Sequence, residues 1–303
     1  MGLAGPAFAD PPTTNFVYIG PPTFAGIFVM GTTDPQAADD EKPNHQVTLS
    51  PFYLSDHEVT RGEWKEIMGT TPWLDESLNP RADVGGVGTP EDDQYPCTYI
   101  SWDMAMAYCA AKNTREGGNW FRLPTEAEWE CAAKAGSRVL NIKYSEGIDE
   151  ANIGDYAWYR VNTTDLGEPW PRPVRGKLAN VWGLYDMQGN VEEWVLDWYG
   201  AYSGVAATNP SGPTSGDAKV MRGGSYQSPA YNTVGSDLTS PNREAASRTA
   251  APRSLGFRML RVITPYAYLP GQAPASGGGG SSSSSKASAS SGGGGCFITQ
   301  VIP

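Results

Sequence analysis

The sequence predicts a loop-rich α+β domain with low regular secondary structure, and three observations carry that expectation. Glycine and proline contribute 36 and 25 of the 303 residues, a density that punctuates the chain with turns rather than long helices. Short strand-like runs and short capped helices follow one another irregularly. No βαβ alternation and no internal repeat is visible, so a doubly wound parallel sheet is not expected.

The elements follow in order. Residues 28–30, 46–49 and 52–54 are apolar or alternating runs bounded by Gly and Pro, as strands are. Thr60-Arg61-Gly62-Glu63 is a capping box, in which each side chain satisfies the other residue's backbone N–H. It predicts a helix through Met68, stopped by Gly69. Ser101 caps a second helix, along which Trp102, Ala105, Met106 and Cys109 recur at helical spacing. Thr125-Glu126-Ala127-Glu128 repeats the box, and Gly136 ends the third helix. Beyond Ala135 the chain reads as loop-rich and aromatic, with Trp158, Trp170, Trp182, Trp194 and Trp198 spread along it. Residues 221–225 and 256–262 read as late strands.

The organisation is one domain over residues 16–264 between two different ends. Residues 1–15 read as a signal-peptide remnant or a disordered N-terminus: Ala7-Phe8-Ala9 before Asp10 has a signal-peptidase pattern, without the basic and apolar stretches that precede one. Residues 265–295 form a Gly/Ser-rich linker that cannot bury enough apolar surface to fold. A flexible chain of that length reaches roughly 25–30 Å. Residues 296–303 follow as a tail opening with Cys296. The arrangement is that of a tether or of a plain solvated tail.

Charge and histidine content narrow the function. With 22 basic against 33 acidic residues the net charge is −11, the wrong sign for neutralising a nucleic-acid backbone. No run approaches the 18 apolar residues of a membrane span. Two histidines, His45 and His57, leave no material for a histidine triad or a multi-histidine metal site.

Several strings then occur in a telling order. Phe28-Val29-Met30-Gly31, Pro43-Asn44-His45-Gln46-Val47 and Phe52-Tyr53-Leu54 with Glu58-Val59-Thr60 open it. Arg122-Leu123-Pro124-Thr125-Glu126-Ala127-Glu128-Trp129-Glu130 is the most specific. Gly183-Leu184-Tyr185-Asp186-Met187, Gly189-Asn190-Val191 and Glu193-Trp194 follow, and Arg222-Gly223-Gly224-Ser225-Tyr226 and Leu255-Gly256-Phe257-Arg258 close it. Together they resemble the formylglycine-generating enzyme family, the sulfatase-modifying factors, across essentially the whole domain. The resemblance implies a fold related to C-type lectins, bound calcium, and in true members copper and oxygen chemistry on a client cysteine. It also covers iron-dependent sulfoxide synthases, kinase-attached domains and retroelement-diversified binding proteins.

The copper enzymes carry two cysteines shortly after the Gly-Gly-Ser segment, because soft Cu(I) requires thiolates. Here the first position falls on Ser228 and the second near Thr233 or Gly235. A serine hydroxyl is hard and protonated, so copper is not expected. Cys97, Cys109 and Cys131 read as buried small hydrophobes. Asn190, Val191 through its carbonyl, and Glu193 match a family calcium site of hard oxygen ligands; the competing reading pairs Glu193 with an arginine. Asn152 and Ile153 match the start of a second calcium site whose remaining ligands do not map.

Arg243, Arg248, Arg253 and Arg258 recur every five residues, on no single helix or strand face. One reading pairs them with Glu126, Glu128, Glu130 or Glu193 to pin irregular loops. The other places a ligand groove at Tyr226, Gln227, Ser228, Tyr231, Asn232, Asp237, Asn242 and Arg243, residue types suited to an adaptable surface. The expected function is an exported, surface-tethered binding module in the bacterial periplasm or at the cell surface, monomeric, taking a protein, peptide or small-molecule ligand. The alternatives are a divergent protein-modifying oxidoreductase and a retroelement-diversified display protein.

Overall fold

A computed structural model describes residues 13–82, 84–229 and 237–264. The linker, Cys296, Tyr231, Asn232 and Thr233 lie outside the described residues, as do most of the N-terminal 15.

The helices begin where their caps are. Helix α1 (Arg61–Met68) starts at Thr60, whose side chain accepts from the Glu63 N–H while the Glu63 carboxylate accepts from the Thr60 N–H. Gly69 closes it at φ 65°. Helix α2 (Trp102–Glu116) runs from the Ser101 cap to Gly117, and α3 (Glu126–Ala133) from the Thr125 capping box. Helix α3 stops before Gly136: Lys134 caps it, Ala135 turns at φ 47°, and the Gly136 N–H donates back to the Cys131 carbonyl at 2.8 Å.

The strands in chain order are β1 (Phe16–Ile19), β2 (Ile27–Met30), β3 (His45–Thr48), β4 (Phe52–Ser55), β5 (Phe121–Arg122), β6 (Glu192–Trp198), β7 (Ala207–Thr208), β8 (Lys219–Arg222), β9 (Glu244–Ala246), β10 (Leu255–Gly256) and β11 (Leu260–Arg261). They form three small sheets among the described residues, ordered β1-β4-β11-β5, β10-β6-β8-β9 and β2-β3-β7. This mixed architecture of short strands and three main helices is the expected loop-rich α+β fold. No helix among the described residues is long and apolar enough to cross a membrane.

Two of the expected strands need correction. Residues 256–262 are not one strand. Leu255 and Gly256 pair in parallel with β6, whereas Leu260 and Arg261 pair antiparallel with β4 and β5, so the residues between them carry the chain from one sheet to another. The late strand expected from residue 221 begins at Lys219 and ends at Arg222, because Gly223 (φ 99°) and Gly224 (φ 68°) leave the extended region.

Two large apolar clusters fill the domain. One gathers Trp64, Tyr108 and Phe257, with the Trp64 and Tyr108 rings stacked 5.5 Å apart; the other gathers Phe28, Leu54, Trp129 and Val195. Cys97, Cys109 and Cys131 are free and buried in these cores.

Candidate functional site

Ser228, which the sequence resemblance aligns with the first family cysteine, lies just past the end of β8. There the two left-handed glycines reverse the chain, and the Ser225 N–H donates to Ser228 Oγ at 2.9 Å while the Ser228 N–H donates to the Ser225 carbonyl at 3.0 Å. The Ser228 hydroxyl also hydrogen-bonds Asp237. A Cβ on Gly224 would stand 2.9 Å from Ser228 Oγ and 2.8 Å from the Asp237 carbonyl oxygen, so glycine is what lets this turn close. Ser228 is therefore buried in a turn, where it holds local structure.

The three thiols among the described residues lie elsewhere and are inert. Burial pushes the Cys97 and Cys131 thiols well up and Cys109 to about 12. A metal or a nucleophilic role needs thiolate, which these environments disfavour. Among the described residues no group of three or more His, Cys, Asp and Glu is arranged to hold a metal ion. The residues present do not fit the family's copper centre.

Of the expected groove residues that are described, most are interior. Tyr226, Ser228, Asn242 and Arg243 are buried. The Tyr226 N–H donates to the Asn190 carbonyl at 2.8 Å, and its own carbonyl accepts from Thr163 Oγ1 at 2.6 Å. The Asn242 carbonyl accepts from Arg222. Gln227 and Asp237 are half-buried, and the Gln227 amide oxygen, in the orientation that satisfies both groups, accepts from Arg253 at 2.8 Å. Near Asp237 stand Glu192 and Glu244: burial, then the charges of Glu244 and Asp237, push the Glu192 carboxyl up to about 8.

Carboxylates on α3 and β6 explain where the arginines go. Arg243 clasps Glu126 with two bonds of 2.8 and 2.7 Å and lies over the Tyr202 ring at 4.1 Å. Arg122 clasps Glu128 at 2.6 and 2.7 Å. Glu130 is held by Arg222 and by Lys134 at 2.7 Å. Arg258 grips Glu193 through bonds of 2.6, 2.7 and 2.9 Å, and Trp129 Nε1 adds a fourth at 2.8 Å. Arg248 turns outward to Asp103. The structural-pairing reading thus holds for Arg243 and Arg258, and Arg243 presents no free guanidinium to a groove.

The same geometry bears on calcium. Both Glu193 oxygens already accept from Arg258, and Asn190 Oδ1 accepts from the Arg172 N–H at 2.8 Å. The Asn190 carbonyl is taken by Tyr226. A cation facing donors and a guanidinium would be repelled, so Asn190, Val191 and Glu193 as arranged do not fit a calcium ligand set. Asn152 likewise spends its side chain on the local turn, accepting from the Asp149 N–H and donating to the Gly147 carbonyl, each at 2.8 Å, and Ile153 is buried.

Sequence reasoning missed Glu58 as a hub. It accepts from Asn190 Nδ2 at 2.6 Å and from the Val191 N–H at 3.0 Å. Burial, with Asp186 and Glu193 nearby, pushes its carboxyl well up, and burial pushes Asp186 up to about 6. Three buried carboxyl groups therefore surround the single Arg258 guanidinium. The available signal was its place in the Glu58-Val59-Thr60 string, which marks the residue without revealing its partners.

Residues 13–263 match the family model described as Sulfatase-modifying factor enzyme 1-like domain. The chain is 32% identical over 249 residues to the formylglycine-generating enzyme of Mus musculus, a match covering 68% of this chain and 65% of that protein. It therefore spans about two thirds of that relative's length. It is 30% identical over 253 residues to chaperone protein LppX of Paenibacillus barcinonensis, covering 71% of this chain and 81% of that protein. Among solved structures it resembles Treponema denticola variable protein 1 (TM-score 0.66, 26% identity) and PvdO from Pseudomonas aeruginosa (TM-score 0.64, 27% identity), each match covering 82% of this chain and 94% of the other.

Proposed function

The chain belongs to the sulfatase-modifying factor family, and on that premise we propose that it is a ligand- or partner-binding module without the copper–cysteine centre, exported and held in the bacterial periplasm or at the cell surface. The observation that carries the reading is Ser228, the residue the sequence resemblance aligns with the first copper-binding cysteine: its hydroxyl is buried and closes a turn rather than offering a thiolate. The likeness to Treponema denticola variable protein 1 favours, as the second reading, a diversified display protein. Export and tethering rest on the sequence: the signal-peptidase pattern near Asp10, the Gly/Ser-rich linker and Cys296. Calcium has a place in this function only if it can displace Arg258 from Glu193.

The test is direct. Purified protein is incubated with Cu(I), oxygen and a Cys-x-Pro-x-Arg peptide, and the peptide is read by mass spectrometry. The proposal expects unmodified cysteine. Robust formylglycine formation overturns it in favour of a protein-modifying oxidoreductase.

A further inference from the structure

Two surface pockets of about 500 and 570 Å³ share Arg81 in their linings. Tyr99 and Met104 line the first, and Val84, Tyr95 and Trp170 line the second. In a chain with 33 acidic against 22 basic residues, no Asp or Glu among the described residues lines either pocket. The charged groups that do are both arginines, Arg81 and Arg172.

The second pocket is built in advance. Gly85 and Gly86 lie at φ 55° and 62°, and a Cβ on them would stand 2.3 Å from the Trp170 ring and 2.2 Å from the Tyr95 ring. The two rings thus pack on bare backbone that only glycine provides. The fully buried Arg61 donates to the Val84 carbonyl and, at 2.9 Å, to the Gly85 carbonyl, pairs with Asp92 at 2.6 Å and lies over Tyr95 at 4.9 Å. A wall anchored this way loses little freedom when a ligand arrives.

Both arginines reach the pockets with only part of their donors committed. Arg81 Nε donates to the carbonyls of Pro72 and Leu74 at 2.9 and 3.0 Å, and the guanidinium lies over Tyr99 at 5.2 Å. Arg81 makes no ion pair within 4 Å among the described residues, and its charge also acts on the Asp75 carboxyl. Arg172 lies over Trp158 and Trp170 at 5.5 and 6.0 Å, has Glu168 on one terminal amine, and keeps a buried Nε without a hydrogen-bond partner. Tyr95, Tyr99 and Trp170 each already carry a guanidinium on the ring, so a cationic ligand meets like charge there.

We propose that these two pockets form one groove that takes an extended peptide segment carrying an Asp or Glu between apolar or aromatic residues, the carboxylate lying on Arg81 and the flanking side chains filling the pockets. The proposal rests on the binding-module reading above and names its site and partner class. A carboxylate on a guanidinium is a charge-assisted contact, and apolar side chains entering the Val84, Tyr95 and Trp170 pocket remove further surface from water.

The full chain is titrated into fluorescein-labelled Gly-Leu-Phe-Glu-Tyr-Leu-Gly and its Glu→Gln and Glu→Lys forms, read by fluorescence anisotropy. The Glu peptide should bind, with the Gln form weaker by about tenfold or more and the Lys form weakest. Arg81→Gln, which keeps a donor for the two carbonyls, should weaken binding by a similar factor with an unchanged melting temperature. Hydrogen–deuterium exchange should show peptide-dependent protection over residues 80–89. No binding at roughly 1 mM, equal binding of the Lys peptide, or unaltered affinity in Arg81→Gln overturns the groove. If that happens while no formylglycine forms, the groove falls and the binding-module reading stands. If formylglycine forms, that reading falls whatever the peptide does.

Discussion

Replacing Arg258 by methionine should cost about 3–5 kcal/mol of folding stability, the usual penalty for removing one partner of a buried ion pair. The structure gives the reasons for so large a figure. Arg258 is fully buried, binds Glu193 at 2.6, 2.7 and 2.9 Å, and also donates to the carbonyls of Ser55, Tyr185 and Asp186 at 3.3, 3.0 and 3.3 Å. Methionine fills much of the volume, so the loss is electrostatic rather than a cavity. Glu58 and Asp186, whose carboxyl groups burial already pushes up, would lose a cation whose charge lowers both. For a domain of this size each kcal/mol moves the melting temperature by about 2–4 °C, so a drop of roughly 6–20 °C is expected by calorimetry. The penalty should grow from pH 5 to pH 8. Carboxyl groups with raised folded pKa values stabilise the fold at low pH, and that contribution is lost as pH rises. The double variant Arg258→Met/Glu193→Leu should recover at least about 1 kcal/mol of the loss, since it removes the orphaned charge as well. A single-variant penalty under about 1 kcal/mol, or a double variant no more stable than the single, would refute this account.

Further outcomes follow from other sites. Burial alone would lower the His57 pKa, yet hydrogen bonds to Asp56 (2.5 Å) and Glu63 raise it. Its contribution is complete below about pH 6.5 and drains away as pH climbs through the folded value, so melting curves of wild type and His57→Gln should converge toward alkaline pH; a constant gap contradicts this. Thr125→Ala removes the acceptor for the Glu128 N–H and should cost about 1 kcal/mol in urea unfolding. Gly69 (φ 65°) has open space around its missing Cβ, so Gly69→Ala should cost only about 1–2 kcal/mol of left-handed strain. Gly189→Ala should cost clearly more, because its Cβ would sit 2.1 Å from the Trp158 carbonyl oxygen; equal losses would show that the backbone there yields. Added Ca²⁺ after chelation should leave the melting temperature unchanged, whereas a site saturated a hundredfold above its Kd would add about 2.7 kcal/mol.

What the sequence made legible was local. Thr60, Ser101 and Thr125 announce their helices because a cap and its partner lie within three residues. Strand β6 left no such mark: its middle residues are buried on both faces, so no alternation shows. Residues 256–262 read as one strand because no Gly or Pro interrupts them beyond Gly256, while the break between sheets depends on pairing with strands far away in sequence. The arginine pairing was readable as chemistry but only partly as partners. Arg243 and Arg258 meet expected glutamates, whereas Arg248 finds Asp103 and Arg253 finds Gln227. The Arg81 groove was not legible, because its floor is made by two glycines whose value lies in which rings they let approach.

The clasped pairs on α3 and β6 have a consequence for how this protein can change. Arg222 and Arg243 fasten the chain on either side of residues 229–236 to Glu130 and Glu126, deep in the interior. Both glutamates stand on α3, so a substitution that removes either one releases a segment far away in the chain. One helix of eight residues thereby holds two later segments of the chain, and the loss of a single carboxylate from it would be felt about ninety residues away in sequence.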